Sequence, residues 1–205
     1  MKYIDLTHVI GENTPVSPFD EKIKMKRVKF LDKDYYNDTS MTSTMHIGTH
    51  IDAPSHMTNI EKNISDYDIS KFVGNGIILD YFGKKNIDLS EKYKDKIKED
   101  SIVIIYTGND KIIGEDEYYY EHPIVSEELC DYLIEKKIKI IGLDFFSPDK
   151  SPSIIHKKLL QNDILIVENL KDVDLLLEYK KITIHLVPIK VDAEGAMIRA
   201  YALVE

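Results

Sequence analysis

Tryptophan is absent from this 205-residue sequence, and cysteine occurs once, as Cys130. A single cysteine allows no intrachain disulfide and argues against a thiolate metal site. No apolar run approaches the roughly 20 residues needed to cross a bilayer, so no membrane partner is expected. Basic charge is in deficit: 27 Lys and Arg face 36 Asp and Glu, a formal net charge of −9. That balance argues against a nucleic-acid partner, which favours a basic face. Met1 to Ile10 holds Asp5 and His8 and lacks a long apolar core, so it does not read as a secretory signal. Internal repeats and Pro/Gly/Ser linkers are also missing. Together these features predict a cytoplasmic protein with one domain over residues 1–205.

What is present is enough to build a core: 43% of residues are hydrophobic and 31% charged. Short runs rich in Ile and Val read as buried strands at Ile77–Asp80, Ile102–Thr107, Ile138–Leu143, Ile164–Val167 and Ile182–Ile189. Ala196–Val204 reads as a further strand, and Ile23–Leu31 and Thr39–Gly48 as an antiparallel pair. Ser126 before Glu127 and Glu128 predicts an N-capped helix to about Lys137. A second short helix is expected from Ser153 to about Gln161, after Pro152. Strands and helices in this mixture give an α/β domain with a mixed sheet.

The densest chemistry lies in His46-Ile47-Gly48-Thr49-His50-Ile51-Asp52-Ala53-Pro54-Ser55-His56. Three of the seven histidines and an aspartate occupy even positions there. In an extended segment these four side chains share one face. Gly48 and Pro54 oppose a helix. Imidazoles and a carboxylate on one face suit zinc, and equally manganese or iron. A metal-free hydrogen-bonded cluster would use the same residues. Downstream, His156 lies on the second predicted helix, and Glu168 ends the run Ile164–Val167, at a strand end of the kind that opens onto a site.

The pattern H-x-G-T-H-x-D-x-P-x-H, complete here at His46, Gly48, Thr49, His50, Asp52, Pro54 and His56, resembles the signature of the metal-dependent cyclase family. That family includes bacterial kynurenine formamidases (arylformamidases) and isatin hydrolases. His156 and Glu168-Asn169-Leu170 match its later histidine and glutamate, twelve residues apart. The resemblance implies a single compact mixed-sheet domain of the swivelling β/β/α type, commonly a homodimer or larger homo-oligomer. It implies that His46, His50 and Asp52 hold a first divalent metal and that His156 and Glu168 hold a second, with Asp52 and Glu168 bridging. Zinc is the expected ion, with manganese as the alternative, and His56 is the implied proton donor and acceptor.

Metal binding lowers the pKa of water from about 16 to about 7, which makes hydroxide available at neutral pH for attack on an amide carbonyl. An amine leaves poorly unless protonated, and an imidazole near its ordinary pKa suits that duty. The expected activity is therefore hydrolysis of a small-molecule formamide or amide, with N-formylkynurenine-like arylformamides first. The formamidases carry a tryptophan in a Thr-Pro-Val-Trp-Pro stretch that lines the aryl pocket. Here the stretch reads Thr14-Pro15-Val16-Ser17-Pro18-Phe19. Ser17 in place of the ring favours a different substrate on the same scaffold, a cyclic amide or lactone, unless Phe19 or a tyrosine compensates. A non-catalytic metal-binding protein is the alternative of another class. Elsewhere, His8 reads as a strand-end residue and His122 as a loop residue beside an aromatic patch. His185 reads as a core histidine. Gly108 to Glu117 reads as a solvated turn, and neither Ser147 nor Cys130 reads as a nucleophile.

Overall fold

A computed structural model describes residues 1–205. Twelve strands run in chain order as β1 (Lys2–Asp5), β2 (Lys24–Lys29), β3 (Asp38–Thr42), β4 (His50–Asp52), β5 (Val73–Asp80), β6 (Asn86–Ile87), β7 (Ile102–Tyr106), β8 (Ile124–Val125), β9 (Ile140–Leu143), β10 (Leu165–Glu168), β11 (Ile182–Pro188) and β12 (Gly195–Val204). Five helices are interspersed: α1 (Leu31–Asp34), α2 (Glu91–Lys94), α3 (Asp116–Tyr120), α4 (Glu127–Glu135) and α5 (Ile154–Gln161).

The main sheet runs β1-β12-β11-β5-β7-β9-β10-β4, and β4 also pairs with β12. That last pairing closes seven of the strands into a barrel, with β1 added alongside β12. The fold is thus the expected α/β domain with a mixed sheet: β5, β7, β9 and β10 pair in parallel, and the other neighbours are antiparallel.

The runs in β7, β9 and β10 show no alternation because they are buried on both faces, whereas β11 alternates buried Ile182, Ile184 and Leu186 with half-buried Thr183 and His185. In β7, Ile102, Ile104 and Tyr106 point into the barrel with Ile51, Val167 and Ile184. Val103 and Ile105 point outward to a second core under α4 and α5, with Leu129, Leu133, Leu159 and Leu160. Ser126 caps α4, its side chain accepting from Leu129 N at 3.2 Å. At α5 the capping carboxylate comes from Asp149, which accepts from Ile155 N at 2.6 Å, while Ser153 makes no side-chain cap.

Four expectations need correction. The predicted strand Thr39–Gly48 ends at Thr42, and β2 and β3 form an antiparallel ribbon apart from the main sheet. His46 to His56 is not one extended segment. Only His50–Asp52 is strand, Gly48 turns the chain at φ +59°, and Pro54–His56 is a 3-10 turn. Gly48 tolerates that positive φ because it lacks a Cβ. His185 is not a core residue: it lies half-buried on the outer face of β11, stacked on Tyr201 with ring centroids 4.5 Å apart. The stretch from Gly108 is not wholly solvated either. Asp110 is buried, where it pairs with Lys111 at 3.0 Å and accepts from Asp172 N at 3.0 Å.

Candidate active site

Strand alternation places His50 and Asp52 on the outer side of β4, while Ile51 enters the barrel core. In the β4–β10 register Glu168 faces His50 directly, and on the opposite edge Gly195 faces Asp52. α5 packs over this side and directs His156 inward on its buried face with Ile155 and Leu159. The turn at Gly48 folds His46 back over the strand, and the turn after Pro54 does the same for His56. The His46 and His56 rings come within 4.1 Å, centroid to centroid. A straight strand would hold them about 33 Å apart.

Asp52 is the hub. Its Oδ1 lies 2.7 Å from His46 Nδ1 and 3.5 Å from His50 Nε2, and its Oδ2 lies 3.2 Å from His156 Nε2. His50 Nε2 is also 3.4 Å from Glu168 Oε2. The ring of His50 is fixed from behind, where its Nδ1 donates to Gly48 O at 2.9 Å. Two sets of ligand atoms each fall within 4.8 Å of one another: His46, Asp52 and His56, and His50, Asp52 and Glu168. Asp52 belongs to both.

The charges respond to one another. Burial disfavours imidazolium, yet the adjoining carboxylates outweigh it, raising His46 to about 9 and also raising His50 and His156. The same histidines hold the Asp52 carboxyl well below its usual range against its own burial. Burial pushes Glu168 up. His56 is pulled down to about 4, first by burial and then by the neighbouring histidines.

A cavity of about 400 Å³ opens beside this cluster. His46, His50, His56, His156 and Glu168 line its polar end. Ser17 and Phe19 line it too, and Phe19 remains 80% exposed. The aromatic surface comes mainly from elsewhere. Tyr118, Tyr119, Phe146 and His122 meet edge-on in succession, with Tyr119 and Phe146 centroids 5.3 Å apart and His122 and Phe146 5.6 Å apart.

The Cyclase family model matches residues 4–150, which include the whole His46–His56 segment. The chain belongs to the Cyclase family. His156 and Glu168 lie beyond the matched segment and are joined to it by the fold. Among relatives of this cyclase-family chain, an uncharacterized protein of Methanocaldococcus jannaschii is 32% identical over 99% of this chain and 100% of its own length. The kynurenine formamidase of Bacillus cereus is 26% identical over 97% of this chain and 96% of its own. Isatin hydrolase A from Labrenzia aggregata, solved with benzyl benzoate, superposes with a TM-score of 0.87 at 21% identity, covering 99% of this chain and 93% of that one. The last likeness shows the fold.

Sequence reasoning about this cyclase-family chain missed three contributors. His122 is a buried cavity residue rather than only a loop residue; its Nδ1 faces Pro123 O at 2.9 Å. Asn169 donates to Gly48 O at 2.9 Å and accepts from the Tyr118 hydroxyl at 2.5 Å, tying the ligand strand to the cavity wall. Glu194 reaches His46. The Glu-Asn-Leu stretch and the predicted strand after Gly195 were the available signals. None gives a distance.

Proposed function

We propose that this protein is a metal-dependent hydrolase cleaving the C–N bond of a formamide or amide, with an arylformamide as its substrate type. One observation carries the reading. Asp52 Oδ2, His156 Nε2 and Glu168 Oε1 are buried without hydrogen-bond partners, around a carboxylate common to two ligand sets. Unpaired buried polar atoms are costly, and up to two cations bound beside the shared carboxylate would give them partners. His46, His50, Asp52, His156 and Glu168 would hold up to two divalent ions, zinc or manganese by their chemistry. When bound, such an ion supplies Lewis acidity and a lowered water pKa.

The chain's own groups supply the rest. His56 faces the cavity and is neutral at pH 7, so its imidazole takes up a proton first and then gives it to the departing amine. Tyr119 and Phe146 offer ring faces and edges to an aryl group, taking the place of the tryptophan that Ser17 replaces. Relatives of this chain include kynurenine formamidases, which supports the formamide. Ser17 favours a second reading, ring opening of a cyclic amide at the same site.

The test is formate release from N-formylkynurenine by purified protein, stripped with a chelator and reloaded with zinc or manganese. Metal-dependent release is expected. Opening of isatin without formate release from any arylformamide would favour the second reading, and inertness toward both would sink the hydrolase assignment. His56→Ala should keep its metal and lose most turnover. Loss of the metal instead would make His56 a ligand.

A further inference from the structure

His46 has a carboxylate at each ring nitrogen. Nδ1 lies 2.7 Å from Asp52 Oδ1, and Nε2 lies 3.3 Å from Glu194 Oε1. The two acids differ in setting. Asp52 is buried at the centre of the cluster, whereas the Glu194 side chain is 43% exposed at its edge. Glu194 makes no other side-chain contact with a cation or donor, so His46 is its single charged partner.

The backbone explains why Glu194 stands there. It immediately precedes β12, and its carbonyl accepts from Ala53 N at 2.8 Å, extending the pairing of Gly195 with Asp52. The next residue supports the ring from another side. A Cβ on Gly195 would stand 2.7 Å from His46 Cε1, a distance that real Cβ atoms do not reach, so only glycine leaves the imidazole its seat.

An imidazole that ligates a metal presents one nitrogen to the ion and donates the other N–H to a carboxylate or carbonyl. Here the inward nitrogen is Nδ1, beside the hub carboxylate, and the outward one is Nε2. Resting on the metal-binding reading above, we propose that Glu194 is a positioning residue. It accepts the Nε2–H of His46, selects the tautomer whose Nδ1 lone pair faces the cluster, and with Gly195 sets the ring's angle.

Two measurements test this. The first is the tautomer in zinc-loaded wild-type protein, read by long-range 15N–1H correlation of labelled histidine. His46 should show a protonated Nε2 and a metal-shifted Nδ1, and the reverse pattern overturns the proposal. The second is zinc affinity by competition with a chromogenic chelator, with zinc counted per chain. Glu194→Ala should bind about 10- to 100-fold more weakly at unchanged stoichiometry. Glu194→Gln should recover most of that loss, because its amide oxygen accepts the same N–H. Wild-type affinity in Glu194→Ala, or a Gln variant as weak as the Ala variant, overturns the positioning role. So does loss of a whole ion from both variants, which would make Glu194 a ligand. Wild-type protein that takes up no zinc or manganese would instead sink the metal reading on which this proposal rests.

Discussion

Asp52 Oδ2 lies 3.2 Å from His156 Nε2, and neither atom makes a hydrogen bond. Two opposite partners this close, buried and misaligned for one another, are arranged around a third party. Each unsatisfied buried group costs about 1–3 kcal/mol, which a bound cation would offset.

Asp52 is common to both ligand sets, so its loss should empty both. Asp52→Asn is expected to bind no zinc, while Glu168→Gln, which leaves His46, His50 and Asp52 in place, keeps about one ion per chain. Elemental analysis after dialysis decides this. Equal retention by the two variants would contradict the shared hub.

In the metal-free protein His46 is raised from its ordinary 6.5 to about 9 by Asp52, despite burial. Because the folded value exceeds the unfolded one, the stabilisation it brings is full below pH 6.5 and fades as pH rises through 9. Metal must displace that proton, so zinc affinity should climb as pH rises from 7 toward about 9. Calorimetric titration in buffers of different ionisation heat should count more protons released at pH 7 than at pH 9.5. Equal release at both would remove the ion pair from the account.

Cys130 is fully buried in α4, and burial pushes its thiol up to about 12. At pH 8 about one molecule in ten thousand would carry the thiolate. Iodoacetamide should therefore modify folded protein very slowly and urea-unfolded protein quickly, which makes this lone cysteine a reporter of unfolding. Comparable rates in both states would mean that α4 opens readily.

Phe146 and Tyr119 make the aromatic wall in a chain without tryptophan. Removing one ring should cost an aryl substrate about 1.4 kcal/mol of contact, a tenfold rise in KM with kcat little changed. Phe146→Ala assayed on an arylformamide and an aliphatic formamide separates the cases. An equal loss on both would place Phe146 in fold maintenance only.

Legibility followed the range of the interactions. The strands were readable because Ile102–Tyr106 or Leu165–Glu168 must be buried on both faces wherever they lie, and α4 because Ser126 announces it locally. The ligand segment was readable as a set of side chains and misread as a shape. Alternation holds for His50 and Asp52 alone; His46 and His56 arrive through a left-handed glycine and a Pro-initiated turn. The partnership of His122 with Phe146, or of Glu194 with His46, spans 24 and 148 residues and depends on how the barrel closes. No local pattern encodes that closure.

β4 is three residues long, pairs along both edges, and two of its three side chains belong to the ligand cluster. The seam of the barrel and the candidate site are therefore the same few atoms. An ion held there would rivet the shortest stave of the barrel, tying the two strands on its edges through one carboxylate. Nor can the closure slip by one residue without turning His50 and Asp52 inward and Ile51 out.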